Sequence, residues 1–358
     1  MDHRVRRGAV GARLEGLGVD ALLVTSLVNT RYLTGFTGSN GQLLLGAGLE
    51  LFLTDGRYRS SSKREVSDLE RLVDERSLRT AAADRCRSAG VRRLGIEAGA
   101  MTVADRDALD GALGDRVEVV ALHAVVEEQR RAKDDEERAL LRRAQAATDA
   151  AFTGILDRFA VGVTEQWVAR ELELLMMESG ADGIAFESIV AFGENAAEPH
   201  HEPNHRVLEE GDVIKLDLGA LVEGYHADMT RTIAFGQPAA ELRKIHDVVR
   251  QAQQAAIDVV RPGISGVEVD AAARAVITDA GYGDGFVHGL GHGVGLEIHE
   301  APWLGTTQDN VLPEGAVVTI EPGVYLEGIG GVRIEDMVEI TGEGCEVVGA
   351  SSRDMIEL

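Results

Sequence analysis

The order of apolar and polar positions divides the chain into two stretches with different hydrophobicity patterns. Up to about residue 125, short apolar runs alternate with polar segments, a pattern typical of the strands and helices of a small α/β domain. It predicts helices around residues 3–18 and 78–90, and strands at "ALLVT", "GQLLLGA", "LELFLTD", "RLGIE" and "VEVVAL".

Beyond about residue 133, apolar residues recur at helical spacing over longer stretches. The pattern predicts helices at 134–158, 164–179, 238–260 and 266–280, with Pro238 in the first turn of the third, where a missing N–H is harmless. The segments between these helices are β-like and dense in Gly and Asp. We expect an α+β protein with a small N-terminal α/β domain at 1–127 and a second domain at 128–358, in which helices cover a largely antiparallel sheet.

Composition and charge narrow the classes of partner. The chain has 358 residues, of which 44% are hydrophobic, enough for two packed domains. Its formal net charge of -24 argues against nucleic acid or an anionic membrane as partner, because phosphate groups are bound by clustered Lys and Arg. The amino terminus offers no continuous apolar signal segment, and no run reaches about 18 apolar residues, so we expect a cytoplasmic protein.

Two aspartates interrupt a segment that otherwise has the pattern of a buried β-hairpin, "VIKLDLGALVEGYHADMTRTIAFG". A reversal of the chain through Val222 and Glu223 would make Asp217 and Asp228 cross-strand neighbours. Two facing carboxylates repel each other unless a positive charge lies between them. A lone Asp in a hairpin is more often a turn or edge residue, so this segment alone does not indicate a site.

A second apolar hairpin, "VVTIEPGVYLEGIGGVRIEDMVEI", carries two glutamates. Glu321 and Glu335 lie symmetrically about Gly328, and Pro322 removes one ladder hydrogen bond, which predicts a bulge that aims Glu321. Between the two hairpins, "GLGHGVGLEIHE" places two histidines among glycines. We therefore expect four buried carboxylates and at least one histidine to converge.

The expected donor set indicates the class of metal. Four carboxylates and one imidazole make an oxygen-rich site whose negative charge can neutralise two divalent cations. Manganese is the expected metal, with cobalt, iron or zinc as alternatives. Cys86 and Cys345 are far apart and form no C-x-x-C pair, so the sequence indicates neither a thiolate metal site nor a disulfide framework.

Four segments, "KLDLGALVEGYHADMTRT", "GLGHGVGLEIHE", "TIEPGVY" and "GVRIED", resemble in order and spacing the motif series of the pita-bread metallopeptidases. This group holds aminopeptidase P, prolidase and methionine aminopeptidase, the last of which generally lacks an additional N-terminal α/β domain. The resemblance extends from about residue 130 to residue 350 and implies a creatinase-like N-terminal domain followed by a pita-bread catalytic domain. It also implies a dinuclear metal site with five ligands: Asp217, Asp228, His292, Glu321 and Glu335.

The resemblance implies roles for further residues around that site. His299 would face the substrate carbonyl and stabilise the oxyanion, and Glu321 would carry a proton to the departing proline nitrogen. His200 and His288 match histidines that line the substrate site of the Xaa-Pro-cleaving branch, and Arg333 matches its arginine.

One motif departs from the expected pattern. "PHHEPNH" holds more histidines and acids than the Ala- or Gly-rich sequence that usually follows the Pro-His pair. This departure leaves open which histidine of the motif faces the site. We expect His201 and His205 to be bystanders.

The resemblance implies hydrolysis of the bond before proline, by attack of a hydroxide that bridges two metals. In the small domain, "NTRYLTGFTGSNGQLLL" and "FLTDGRYR" resemble aminopeptidase P more than prolidase. We therefore expect an Xaa-Pro aminopeptidase that acts on proline-containing peptides. An Xaa-Pro dipeptidase (prolidase) is the alternative, and an inactive family member that serves as a binding module is a more remote one. The resemblance also implies a homodimer.

Overall fold

The computed structural model describes residues 1–74, 77–307 and 310–358, and the chain forms two compact units. One unit comprises Met1–Arg130 and the other Arg131–Leu358. Separate clusters of buried apolar side chains fill them. The sequence predicts that the first domain ends at residue 127, and this domain boundary stays a prediction.

The amino-terminal unit is built on a mixed six-stranded sheet. Its strands are β1 Ala21–Val24, β2 Gly41–Gly46, β3 Leu49–Thr54, β4 Glu70–Val73, β5 Arg93–Glu97 and β6 Glu118–Leu122. Its helices are α1 His3–Arg13, α2 Leu27–Thr34, α3 Arg59–Glu65, α4 Leu78–Ser88, α5 Val103–Leu113 and α6 Glu127–Arg130. The strand order is β4-β3-β2-β1-β5-β6, with β2 antiparallel to both of its neighbours.

The sequence pattern predicts this sheet with one omission. The five expected strands correspond to β1, β2, β3, β5 and β6. All four residues of β1 are buried, as expected for a central strand covered on both faces. Strand β4, with the sequence "ERLV", was not predicted, because a short segment that begins with two charged residues shows no strand alternation.

The carboxy-terminal unit contains four long helices close to the predicted positions. They are α7 Asp135–Leu156, α8 Glu165–Glu178, α9 Ala240–Val259 and α10 Gly266–Asp279. Helices α7 and α10 each begin with a capping box, in which the side chains of the cap and of the third helical residue bond each other's backbone N–H. The expectation for Pro238 was wrong: it precedes the cap residue Ala239, whose backbone is extended, so the helix begins two residues later.

The strands of this unit pair in antiparallel fashion throughout the four sheets that they form. They are β7 Gly183–Ile184, β8 Ile189–Phe192, β9 Val213–Leu218, β10 Ala220–Val222, β11 Tyr225–His226, β12 Met229–Ala234, β13 Gly291–Gly293, β14 Glu300–Leu304, β15 Val317–Ile320, β16 Gly323–Leu326, β17 Gly330–Arg333, β18 Asp336–Ile340 and β19 Cys345–Val347. Helices α7 and α8 share one apolar cluster with β8, β9 and β12. Helices α9 and α10 share another with β15 to β18. The predicted α+β architecture is thereby confirmed.

The first acidic hairpin reverses one residue later than predicted. Its turn is formed by Glu223 and Gly224, whose φ angles of 46° and 78° are both positive, as a type I′ hairpin turn requires. Strand β9 therefore pairs with β12 so that Asp217 lies opposite Thr230. The predicted direct pairing of Asp217 with Asp228 was wrong. Because the register differs by two residues, however, both aspartates stay on the same face of the sheet as diagonal neighbours.

The second acidic hairpin follows the predicted symmetry. The pairing of β15 with β18 and that of β16 with β17 share one register, centred on Gly328. Glu321 and Glu335 occupy opposite positions in this register, in the gap between the two strand pairs. Pro322 follows Glu321 and has no N–H to donate, which accounts for the interruption on its strand.

Candidate active site

The five predicted ligand residues line one cavity of the carboxy-terminal unit. Asp217 lies near the end of β9, and Asp228 lies immediately before β12. His292 is the central residue of β13, while Glu321 and Glu335 come from the gap in the second hairpin. Three of them, Asp228, His292 and Glu335, are buried and have donor atoms within 4.8 Å of one another.

The two glutamates are aimed by backbone bonds to neighbouring strands. Glu321 N–H donates to the carbonyl of Leu290 at 2.9 Å, and Glu335 N–H donates to the carbonyl of Thr230 at 3.0 Å. The gap in the hairpin thus leaves no unpaired N–H on either glutamate. It turns both side chains towards the other acids.

His292 presents a lone pair to the carboxylates. Its Nδ1 lies 3.1 Å from the carbonyl oxygen of Gly293, which can only accept, so Nδ1 carries the proton. Nε2 lies 3.4 Å from Glu321 Oε1 and 3.6 Å from Asp228 Oδ2. A neutral imidazole in this tautomer places electron pairs against electron pairs, an arrangement that a cation stabilises.

Strand β13 can reach this position because it contains Gly291. A Cβ at that residue would lie 2.1 Å from the carbonyl oxygen of Thr319 on β15. The glycine therefore serves a close approach of two backbones.

Two threonine hydroxyls that the sequence did not single out orient the ligand residues. Thr230 Oγ1 donates to Glu335 Oε2 at 2.7 Å, and Thr319 Oγ1 donates to Glu321 Oε1 at 3.1 Å. Each threonine stands two positions from an acid on its own strand, in "DMT" and "TIE". Because alternate residues of a strand share a face, this spacing was the available signal.

Burial and mutual repulsion shift the ionisation of the donors. Desolvation, followed by the charges of neighbouring acids, raises the pKa of Asp228 and of Glu335 well above the usual carboxylate range. Desolvation also raises the pKa of Glu321, to about 7. The pKa of His292 falls to about 3, chiefly because burial disfavours the imidazolium. The three carboxyl shifts oppose the ionised form that a metal ligand needs, as expected where acids are crowded together, whereas the shift of His292 favours the neutral imidazole that a ligand needs.

The donor set fits hard divalent cations. Carboxylate oxygens predominate, a single imidazole nitrogen joins them, and the described residues around the cluster supply no thiolate. Asp217 Oδ1 is buried without a hydrogen-bond partner, as expected for an oxygen whose partner is an ion. The other oxygen of Asp217 is bound by Arg333.

Arg333 is a buried anchor for this oxygen. Its Nη2 donates to Asp217 Oδ2 at 2.5 Å and its Nε to Thr230 Oγ1 at 2.9 Å. Its Nη1 donates to Tyr325 Oη at 2.8 Å and to the carbonyl of Pro199 at 3.1 Å. Four of the five N–H groups are therefore committed to the protein, which leaves little of this arginine for a substrate.

His288 is also engaged on both ring nitrogens. Its Nδ1 lies 2.8 Å from the carbonyl oxygen of Gly289, so Nδ1 carries the proton, and its Nε2 lies 3.0 Å from Tyr325 Oη. Since Tyr325 already accepts from Arg333, its own O–H donates to His288 Nε2. His288 therefore faces the cavity with its ring while its polar atoms are bound internally. The sequence did not identify Tyr325, in "EPGVY", as a residue of the site.

His299 and His200 are exposed and line the same cavity. The ring of His299 meets that of His292 edge to face, with centroids 4.4 Å apart. Desolvation lowers the pKa of His299, so the ring is neutral at pH 7 and can donate a hydrogen bond. Both histidines are thus within reach of a bound molecule.

His201 has a structural environment, although it also borders the cavity. Its ring is buried, with Nδ1 2.6 Å from Glu198 Oε2 and Nε2 2.8 Å from Glu165 Oε2. Its neighbour His200 is the member of "PHHEPNH" that is exposed towards the cavity. His205 is exposed and lies outside the cavity lining.

The cavity has a volume of about 730 Å³, enough for a short peptide. Apolar side chains form part of its wall, and two further carboxylates, Glu187 and Glu202, also belong to its lining. The apolar members are Phe186, Ile189, Ile298, Trp303 and Leu304. Such a lining can hold an apolar residue and a peptide amino group.

Comparison with known proteins assigns this arrangement to a family. Residues 139–342 match the model of metallopeptidase family M24, and residues 6–132 match the creatinase/prolidase N-terminal domain. The chain belongs to metallopeptidase family M24. The predicted pita-bread family, with its creatinase-like N-terminal domain, is confirmed.

Similar proteins include both kinds of proline peptidase. The structure of an Xaa-Pro dipeptidase from Bacillus anthracis is 37% identical, with a TM-score of 0.97 and 100% of both chains covered. An Xaa-Pro dipeptidase from Pyrococcus horikoshii is 33% identical over 94% of this chain and 95% of the relative. The structure of an X-Pro aminopeptidase from Thermotoga maritima MSB8 is 34% identical, with a TM-score of 0.90 and coverage of 97% and 100%.

These relatives favour the dipeptidase alternative, and the expected aminopeptidase is not confirmed. The resemblance of the amino-terminal segments "NTRYLTGFTGSNGQLLL" and "FLTDGRYR" to aminopeptidase P does not outweigh these relatives, because the Bacillus anthracis dipeptidase aligns along the entire chain. Within the described residues, no helix combines the length and apolar character needed to cross a membrane.

Proposed function

We propose that this chain is an Xaa-Pro dipeptidase, which hydrolyses the bond before proline in two-residue peptides. One observation carries the proposal: five ligand residues open onto a cavity of about 730 Å³ in a chain that aligns end to end with an Xaa-Pro dipeptidase. Asp217, Asp228, His292, Glu321 and Glu335 would hold two divalent cations. When bound, these would polarise the scissile carbonyl and lower the pKa of a water molecule.

The residues of the chain supply orientation and proton transfer. Thr319 donates to Oε1 of Glu321, which also faces the unprotonated Nε2 of His292, and no described residue hydrogen-bonds to Oε2. Glu321 Oε2 would take a proton from the attacking water and deliver it to the proline nitrogen. A tertiary amide nitrogen leaves as an amine only when it is protonated, so this step is required for turnover.

His299 would donate a hydrogen bond to the carbonyl oxygen as negative charge develops on it. Its place on the cavity wall, against the ring of His292, supports this role. Arg333 and Thr230 keep the carboxylates of Asp217 and Glu335 in place. His288 shapes the wall through its ring.

The carboxylate of a dipeptide substrate needs a positive or hydrogen-bonding partner. Arg333 is the sole Arg or Lys among the described residues that line the cavity, and four of its N–H groups are occupied. The exposed His200 is therefore our candidate for the proline carboxylate. Manganese as the metal, a homodimer and a cytoplasmic location stay predictions from the sequence.

An Xaa-Pro aminopeptidase is the second candidate, supported by the similarity to the Thermotoga maritima enzyme. The two activities separate in one assay with metal-loaded protein, an Xaa-Pro dipeptide and an Xaa-Pro-Ala tripeptide. Cleavage confined to the dipeptide supports the proposal. Release of the first residue from the tripeptide at an equal or higher kcat/KM replaces it with the aminopeptidase. Hydrolysis of neither peptide by protein with two bound metals rejects both.

A further inference from the structure

The segment 286–290, which carries His288 and leads into β13, is held from behind by helix α10. Arg274 Nη1 donates to the carbonyl of Phe286 at 3.0 Å, and Arg274 Nη2 donates to the carbonyl of His288 at 2.8 Å. The guanidinium also lies over the ring of Phe286, 4.0 Å from its centroid. A single side chain thus fixes the segment by two polar contacts and one cation–π contact.

Arg274 is itself oriented by Asp270, one helical turn earlier. Its Nε and Nη2 each donate to one carboxylate oxygen of Asp270 at 2.8 Å, a bidentate pair. Asp270 Oδ1 also accepts from the N–H of Leu290 at 3.1 Å. The ion pair therefore binds backbone groups of residues 286, 288 and 290, on both sides of the His288 side chain.

An ion pair at this spacing on a helix is usually a weak surface stabiliser. Asp270 differs because it is 1% exposed. Four of the five N–H groups of Arg274 are used, two for Asp270 and two for loop carbonyls. The contacts of the pair therefore hold the segment 286–290 and do not serve the helix alone.

The ring of His288 depends on this arrangement. It packs edge to face against Phe286, with centroids 5.2 Å apart, and receives the hydroxyl of Tyr325 on Nε2. A shift of the backbone at residues 286 to 290 would separate these partners and change the wall of the cavity. We propose that Asp270 and Arg274 are positioning residues that set His288, and with it the cavity wall. The kinetic test of this proposal rests on the proposed function.

Three variants test the proposal against a matched control. Arg274→Met removes the guanidinium, Arg274→Lys keeps the charge without the fork, and Asp270→Asn keeps an acceptor for Leu290 but weakens the grip on Arg274. Arg106→Met is the control, since Arg106 pairs with Asp110 at the same spacing on α5.

We expect Arg274→Met to lower kcat/KM for an Xaa-Pro dipeptide by about 10- to 100-fold, the range for a small misplacement of a site residue. Arg274→Lys should recover little of the lost kcat/KM, because one ammonium cannot bind a carboxylate and two carbonyls in fixed geometry. Arg106→Met should stay within about twofold of the parent, as surface charge changes usually do.

A second readout is independent of turnover. In protein with ¹⁵N-labelled histidine, the imidazole spectrum reports which ring nitrogen of His288 carries the proton, and His288→Gln assigns its signals. The parent and Arg106→Met should show the Nδ1–H form with a hydrogen-bonded Nε2. Arg274→Met and Asp270→Asn should show a changed or mixed spectrum.

The two readouts separate the possible failures. If Arg274→Met and Asp270→Asn keep the parental kinetics and the parental His288 spectrum while only Tm falls, the pair stabilises the fold and the proposal is wrong. If Arg274→Met does not fold, the same comparison is made with Asp270→Asn alone. If the parent hydrolyses no proline peptide, the proposed function fails, but the imidazole spectra still decide whether the pair positions His288.

Discussion

The two acidic hairpins each deliver two carboxylates to the cavity by different means. In the first hairpin, Asp217 lies within the pairing of β9 with β12, and Asp228 lies in the short break between that pairing and the pairing of β10 with β11. In the hairpin of β15 to β18 the ladder is interrupted, and Glu321 and Glu335 occupy opposite positions in the gap. The first hairpin therefore has one acid in its ladder and one at its break, whereas the second has both acids at its break, where neighbouring segments bond their N–H groups.

The two hairpins also depend on each other. Thr230 of the first supports Glu335 of the second, and Arg333 of the second anchors Asp217 of the first. Thr319 supports Glu321 within the second hairpin, and its hydroxyl also accepts from the N–H of His292 on β13. A change at Thr230 should therefore reach both hairpins, and a change at Thr319 one of them.

Loss of a ligand should have the largest effect. Asp228→Ala should lose at least one metal per chain, and turnover should fall by more than the roughly 100-fold expected for loss of a supporting residue. The fold should persist, because removal of one acid from a crowded cluster relieves repulsion. Elemental analysis, steady-state kinetics and circular dichroism measure these changes.

The control for this variant is Asp279→Ala, which removes the same charge from the exposed end of α10. Full activity and two metals in Asp228→Ala would exclude the first hairpin from the metal site.

His299→Ala should be the next largest change. It should keep its metals and lose about 10²- to 10³-fold in kcat, the range for loss of one oxyanion donor. The result separates His299 from His292, whose replacement should lower the metal content. If His299→Ala loses metal, the roles of the two histidines are exchanged.

Thr230→Val tests the link between the hairpins. The isosteric change removes one hydroxyl that orients Glu335 and accepts from Arg333, so metal affinity or kcat should fall about 10- to 100-fold. Thr319→Val should cost less, because the Thr319 hydroxyl supports one carboxylate and the backbone N–H of His292 and does not anchor Arg333.

Thr232→Val is the matched control for Thr230→Val. Thr232 is a buried threonine on the same strand, and its hydroxyl bonds only the backbone of Arg333. A larger loss in Thr319→Val than in Thr230→Val would contradict the dependence of the second hairpin on the first.

The smallest effect is a shift of stability with pH in metal-free protein. The pKa of Glu321 is raised from 4.5 to about 7, so the folded state holds a proton that the unfolded chain has lost. The proton on Glu321 stabilises the folded state fully below the pKa of Glu321 in the unfolded chain, and this stabilisation is lost as pH rises through about 7. The lowered pKa of His292, from 6.5 to about 3, acts in the opposite direction below pH 6.5.

Tm of the chelated protein should therefore rise as pH falls from 8 towards 6.5 and then stay level down to pH 4.5, because the Glu321 and His292 terms oppose each other in that range. Glu321→Gln should flatten the rise between pH 8 and 6.5, and saturating metal should remove it by holding the carboxylates ionised. A chelated parent whose Tm falls steadily from pH 8 would show that the acids are already neutralised by other means.

The sequence predicts which residues meet at the cavity better than it predicts the contacts that hold them there. Glu321 and Glu335 could be paired correctly because Gly328 marks the centre of a symmetric apolar hairpin. The predicted pairing of Asp217 with Asp228 was wrong because Glu223 adopts a positive φ, a conformation that glutamate rarely adopts. The supports of Thr230, Tyr325 and Arg274 act across elements far apart in the chain, and no periodic pattern encodes such contacts.

The buried guanidinium of Arg333 has a consequence for the order of binding. With all groups ionised, this guanidinium and the four carboxylates carry three net negative charges, and the field repels an anionic peptide end. Two divalent cations would reverse the sign to one net positive charge. The cavity would then attract the carboxylate that it had repelled, so that cations enter first and the peptide second.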